Sequence, residues 1–166
     1  MVASLTNIEQ KLDKEIAHII QHSNIDKKFI SSKKIVTYSD FLADKLLIIL
    51  VIKEGISYSF FNLIQDYTPF SETDWAGFLD ISTKSLQRYK QSSKNFKPSQ
   101  SEKIIEMAEV TSIGLDVFGD MEKFKMWIDT PSYALGNLKP IELLKNSYGK
   151  EMVINELTRI NHGIFV

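Results

Sequence analysis

The chain has 166 residues, 43% of them hydrophobic and 25% charged, with a formal net charge of -1 and no cysteine. This is a globular balance, and the length fits one compact domain or two small ones sharing a core. Disulfides, thiolate zinc sites and a cysteine nucleophile are excluded, and the chain taken whole lacks the basic footprint of a nucleic-acid binder.

The N-terminus is charged within its first turns and carries no apolar signal-peptide segment. The longest apolar run, 46–52, falls short of the roughly 20 residues a membrane span needs. A cytoplasmic protein with no membrane partner is expected. Leu5, Ile8, Leu12, Ile16, Ile19 and Ile20 recur at helical spacing, which predicts an amphipathic helix over 5–22. Such a helix could mediate dimerisation, but packing within the protomer or in an intertwined dimer is expected, because an isolated helix of this length is marginal. Residues 24–34 are polar and lysine-rich and read as a loop, and 35–38 as a short extended piece. Ser39 or Asp40 caps a helix running to about Lys53, which Gly55 stops in a left-handed conformation. A helix over 58–66 ends before Thr68 and Pro69.

Two capping boxes follow, Ser71 with Asp74 and Ser99 with Glu102. The second opens an amphipathic stretch through Ile104, Ile105, Met107, Ala108, Leu115 and Val117, which Gly119 stops. Asp120 caps a helix carrying Phe124, Trp127 and Ile128, and Thr130 and Pro131 break it. After a loop over 132–139, Pro140 starts a short helix, a favoured first position. Gly149 precedes a final helix on which Val153, Leu157 and Ile160 face one way, and Gly163 ends it. Composition changes most around 91–98, a boundary candidate. The fold class is all-α.

Charge is unevenly placed. Between Glu54 and Asp80 there are five acids and no base, and between Ser82 and Lys97 five bases and no acid. A basic block beside an acidic one points to a local binding face. Residues 71–90 fit a helix-turn-helix. Trp75, Phe78 and Leu79 line the first helix, the turn is Leu79, Asp80 and Ile81, and Ser82 caps the second. Leu86 and Tyr89 point inward, which leaves Lys84, Gln87, Arg88 and Gln91 on the outer face. Arg and Lys read guanine edges and Gln reads adenine, and Thr83 and Ser85 could hold phosphates near the helix N-terminus. Asp80 stands where glycine is usual, and Asp tolerates the left-handed conformation. An ordinary helical hairpin with a solvated polar face fits the same pattern.

Residues 118–166 carry an ordered series: Phe118 and Gly119, Trp127, Thr130 and Pro131, then Ala134, Leu135 and Gly136. It continues with Lys139 and Pro140, Leu143 and Leu144, Gly149, Val153, Leu157, Ile160 and Gly163. This series resembles the toxin-binding domain of the Xre/MbcA/ParS antitoxins. The block 81–88 resembles the Xre-like helix-turn-helix of the same family, and Gly55, Ile56 and Ser57 fit its lead-in. The resemblance covers about residues 55–166. It implies the helix-turn-helix domain over 55–117 and the toxin-binding domain over 118–166, and it does not explain the N-terminal helical extension over 1–54.

The resemblance further implies a non-catalytic antitoxin. It would block the active-site cleft of a RES-domain toxin that consumes or transfers from NAD, and repress its own operon by binding operator DNA. No cofactor is implied. Two copies on paired half-sites would give useful DNA affinity, so a homodimer within a larger complex is expected. The apolar residues Trp127, Leu143, Leu144, Val153 and Leu157 read as core, while Gly136, Pro140 and Gly149 fix turns and a helix start. Candidate toxin contacts are Ser132, Tyr133 and Asn137 in the loop, Arg159 and His162 on the last turn, and the tail Ile164, Phe165 and Val166. An exposed apolar tail is costly unless a partner covers it, although it could also pack back on its own domain.

Two other readings compete with this one. A stand-alone transcription regulator whose C-terminal domain only dimerises predicts no adjacent toxin gene. An enzyme predicts a titratable cluster in a pocket, and the carboxylates here are spread over helix faces. His18 and His22 have a legal metal spacing, but no third ligand stands out nearby. No Gly-rich phosphate loop, HExxH or GxSxG motif occurs.

Overall fold

The computed structural model describes residues 2–22, 37–92 and 94–163. Among them it forms ten α-helices, one short 3-10 turn and no strand. In chain order these are α1 (Val2–His22), α2 (Tyr38–Ala43), α3 (Lys45–Glu54), α4 (Tyr58–Asp66), α5 (Glu72–Phe78), α6 (Thr83–Gln91), α7 (Pro98–Phe118), α8 (Met121–Ile128), the 3-10 turn η1 (Tyr133–Leu135), α9 (Pro140–Leu143) and α10 (Ser147–Asn161). The loop over 24–34, residues 35 and 36 of the extended piece, and the tail Ile164, Phe165 and Val166 lie outside the described residues. None of the described helices is long and apolar enough to cross a membrane. The chain divides into two compact units, residues 1–67 with 84–105 and residues 68–83 with 106–166.

In the first unit, α1 packs within the protomer. Leu12 and Ile16 are buried, and α1 contacts α2 and α4. Three of its carboxylates reinforce that seat. Asp13 accepts from the Tyr38 amide at 2.7 Å, Glu15 from the Ser59 hydroxyl at 2.9 Å, and Glu9 from the Tyr67 hydroxyl at 2.7 Å. The helix expected from Ser39 or Asp40 to Lys53 is two helices. Thr37 is the cap of α2, in a capping box with Asp40. Asp44 then leaves helical geometry and caps α3, accepting from the amides of Leu46 and Leu47. A short carboxylate reaches its own downstream amides more readily than it continues a helix, which is why the apolar run is broken there.

Segment 94–97 is not a loose boundary. Phe96 is buried, stacks on Tyr89 with ring centroids 4.2 Å apart, and meets Phe61 at 5.0 Å. Its amide donates to the Ile56 carbonyl at 2.8 Å. The buried Ser101 hydroxyl accepts from the Ile56 amide at 2.9 Å and donates to the Phe96 carbonyl at 3.3 Å. Ser101→Ala leaves the Ile56 amide buried without that acceptor. It is expected to lose about 1–3 kcal/mol of stability, measurable as a shift in the urea midpoint. Helix α7 starts one residue before the expected Ser99 cap. Pro98 takes the first helical position, and the Gln100 side chain accepts from the Lys97 amide at 3.2 Å.

In the second unit, Phe70, Trp75 and Phe78 form an edge-to-face cluster with centroids 5.1–5.9 Å apart. Phe124 is fully buried beside Phe118 and Trp127, and Gly114 leaves room for its ring. Leu144, Val153 and Leu157 are buried as expected, whereas Trp127 and Leu143 are half-buried. Lys150 of α10 pairs with Glu106 of α7 at 2.7 Å. Gly149 does not precede the final helix but lies inside its first turn. Asn146 is the cap, accepting from the Gly149 amide at 2.9 Å.

Candidate functional site

The turn expected at 79–81 takes a definite form. The Ile81 amide donates to the Ala76 carbonyl at 3.0 Å and the Asp80 amide to the Gly77 carbonyl at 3.4 Å. This is a Schellman closure, whose left-handed position is normally glycine. Asp80 occupies it with φ of 52°. An Asp pays less than most residues for that conformation, since its short side chain can bond locally. On the N-terminal side, Ser71 and Asp74 form the expected capping box of α5.

Helix α6 then presents the side chains expected of a reading helix. Leu86 is buried, and Tyr89 is half-buried, its ring on Phe96 and its hydroxyl donating to Gln100 at 3.0 Å. Lys84, Gln87, Arg88 and Gln91 are exposed, while Thr83 and Ser85 are half-buried. The Arg88 guanidinium donates to the Ser85 hydroxyl at 2.9 Å, which holds it along the outer face. Two cations and two amides on one face match the donor and acceptor needs of base edges in a major groove.

The loop over 132–139 is closed on itself. The Ser132 amide donates to the Leu138 carbonyl at 3.1 Å, and the Ser132 carbonyl accepts from the Leu135 amide at 3.1 Å and the Asn137 amide at 2.8 Å. Gly136 and Asn137 both adopt left-handed backbone, with φ of 71° and 61°. Turn η1 contacts α10. Leu135 is the buried anchor, and Tyr133 is turned outward, 82% exposed. Ser132 is half-buried and Asn137 exposed.

On α10, Arg159 is half-buried and pairs with Glu156 at 3.3 Å. His162 is exposed, with Nδ1 2.7 Å from the Thr158 carbonyl, a contact it makes as a donor. Besides Tyr133, the exposed large hydrophobic side chains here are Tyr148 at 84%, Met126 at 71%, Leu138 at 47% and Met152 at 44%. Sequence reasoning missed these four. The signal for Tyr148 and Met152 was present, since both fall opposite Val153 and Leu157 on a helical wheel.

No group of three or more metal-ligating side chains occurs among the described residues. His18 and His22 stack on each other at 4.2 Å, with His22 Nδ1 3.0 Å from the His18 carbonyl.

Residues 48–109 match the family model described as the antitoxin Xre-like helix-turn-helix domain. Residues 114–163 match the antitoxin Xre/MbcA/ParS C-terminal toxin-binding domain. Over 115 residues the chain is 30% identical to a protein named Antitoxin Xre from Yersinia enterocolitica, covering 69% of this chain and 78% of that one. It is 28% identical to another Antitoxin Xre from Photorhabdus laumondii, with the same coverage. A helix with a cationic and amide outer face in the first matched segment and an outward apolar surface in the second thus fall in a chain that belongs to the Xre antitoxin family, a family of antitoxins and not of enzymes.

Proposed function

We propose that this antitoxin acts in the cytoplasm as a stoichiometric blocker of a RES-domain, NAD-consuming toxin, and that a homodimer represses the shared operon through α6. The observation that carries the first half is a concentration of apolar surface. Five of the seven large exposed hydrophobic side chains among the described residues, Met126, Tyr133, Leu138, Tyr148 and Met152, lie in the segment matched to the toxin-binding domain. Aromatic and methionine side chains are enriched where a protein meets a protein. We place toxin contacts at Ser132, Tyr133, Asn137, Arg159 and His162, and at Ile164, Phe165 and Val166. The functional boundaries we assign are 1–54, 55–117 and 118–166.

The test is co-expression with the product of the adjacent reading frame, which this reading expects to be a RES-domain protein, followed by co-purification and an NAD consumption assay. Stoichiometric association with loss of NAD turnover is the expected result. A toxin that stays fully active and unbound overturns the reading.

The second half rests on the outer face of α6. A bidentate base contact gives about 1–3 kcal/mol of discrimination. Arg88→Ala is therefore expected to weaken operator binding about 5- to 150-fold in a mobility-shift assay while toxin neutralisation is unchanged. Equal operator affinity in wild type and variant would remove Arg88 from the reading face. Because phosphate contacts release counterions, the affinity should also fall steeply with salt.

A further inference from the structure

Helix α10 has a sharply divided surface. At about 100° per residue, Tyr148, Met152, Asn155 and Arg159 share a strip roughly 60° wide, about 16 Å long at 1.5 Å rise per residue. Val153 and Leu157 lie on the opposite side and are fully buried. Gly149 and Lys150 tie the helix to its own unit, Gly149 against the Leu143 carbonyl and Lys150 to Glu106. The strip is therefore held rigidly outward. Its N-terminal half is a tyrosine and a methionine one turn apart, both exposed, with exposed Asn155 and half-buried Arg159 continuing it toward the C-terminal end.

Anchors at this spacing, apolar over the first half and polar over the second, fit a helix laid into a groove that is apolar at one end. Tyrosine supplies large contact area with only two side-chain torsions to fix, and methionine adapts its thioether to irregular walls. We infer that the Tyr148, Met152, Asn155, Arg159 strip of α10 is the principal anchor on the toxin, inserted in a groove of about three helical turns that is apolar at one end. The inference rests on the toxin-binding reading above. The toxin is the occupant because the strip lies wholly within the segment matched to the toxin-binding domain. The loop tyrosine and last-turn histidine then become the polar rim of the contact.

The experiment is a calorimetric titration of the product of the adjacent reading frame, the RES-domain toxin of the reading above, with the full antitoxin chain. Wild type is compared with a double variant, Tyr148→Ser with Met152→Ser, and a conservative one, Tyr148→Phe with Met152→Leu. Both positions face solvent, so all three chains should share one thermal midpoint. The double variant is expected to bind at least about 30-fold more weakly, as truncation of an aromatic anchor does, and the conservative variant within about 5-fold of wild type. Wild-type affinity in the double variant overturns the α10 anchor while leaving toxin binding intact. Failure of the wild-type chain to bind overturns the toxin-binding reading and the anchor together. If the double variant instead turns a dimer into a monomer in sedimentation with toxin affinity unchanged, the strip is a self-association face and the inference falls.

Discussion

Gly55→Ala is expected to destabilise the first compact unit by about 2–6 kcal/mol, from two costs acting at one position. Gly55 has φ of 84° and ψ of 140°, a region essentially closed to residues with a Cβ. Holding a non-glycine residue there costs about 1–3 kcal/mol. An added Cβ would also run into the Phe96 carbonyl oxygen and lie 3.2 Å from the Asn95 Cβ. That carbonyl is not free to retreat. It accepts from Ser101, its own residue's amide donates to Ile56, and Asn95 Nδ2 donates to the Gly55 carbonyl at 3.0 Å. Overpacking against backbone adds about 1–3 kcal/mol. The sum is a large part of the 5–15 kcal/mol that holds a typical domain. Urea unfolding followed by circular dichroism measures it. Gly77→Ala is the matched control. Gly77 sits in α5 with nothing within 4 Å of an added Cβ, so this change should be neutral or stabilising by about 0.5–1 kcal/mol. Similar midpoints for the two variants would show that Gly55 carries no such constraint.

Gly55 also shows what kind of information a single sequence holds. That a helix stops there was legible, because glycine after an apolar run is a local signal. That Phe96 closes over it was not, because the contact joins residues about 40 positions apart and leaves no periodic trace. The same division runs through the rest of the chain. The capping boxes of Ser71 and the cap of Asp120 were legible because each is complete within four residues. The break at Asp44 was hidden, since the apolar residues on both sides continue a helical pattern and only the carboxylate's choice of its own amides interrupts it. The outer face of α6 was readable from Leu86 and Tyr89 alone, as two inward positions fix the direction of the others. On the C-terminal side, attention to glycines, prolines and the chain end singled out the loop and the last turn. The first two turns of α10 were passed over, although Tyr148 and Met152 stand opposite Val153 and Leu157 on the same wheel.

Gly149→Ala is the second substitution expected to have a large effect, and two opposing terms decide its sign. Alanine in a helix is favoured over glycine by about 1 kcal/mol. Against that, a Cβ at this position would overlap the Leu143 carbonyl group, where α9 meets α10. The obstacle is backbone, so no side-chain rotation relieves it. Either α9 moves off α10, or the first turn of α10 unwinds and gives up the Asn146 cap on the Gly149 amide. Such a shift costs about 1–3 kcal/mol for overpacking, and the unwinding route about 1 kcal/mol more for the lost cap, so the steric side wins by up to about 3 kcal/mol. The α10 strip is carried by this helix. Toxin binding should therefore weaken as the thermal midpoint drops. The Tyr148 and Met152 double variant should differ, losing toxin affinity alone at an unchanged midpoint. A Gly149→Ala chain that melts at the wild-type temperature and still neutralises the toxin would mean that α9 yields without cost, and the close approach at Leu143 would not be what holds α10 in place.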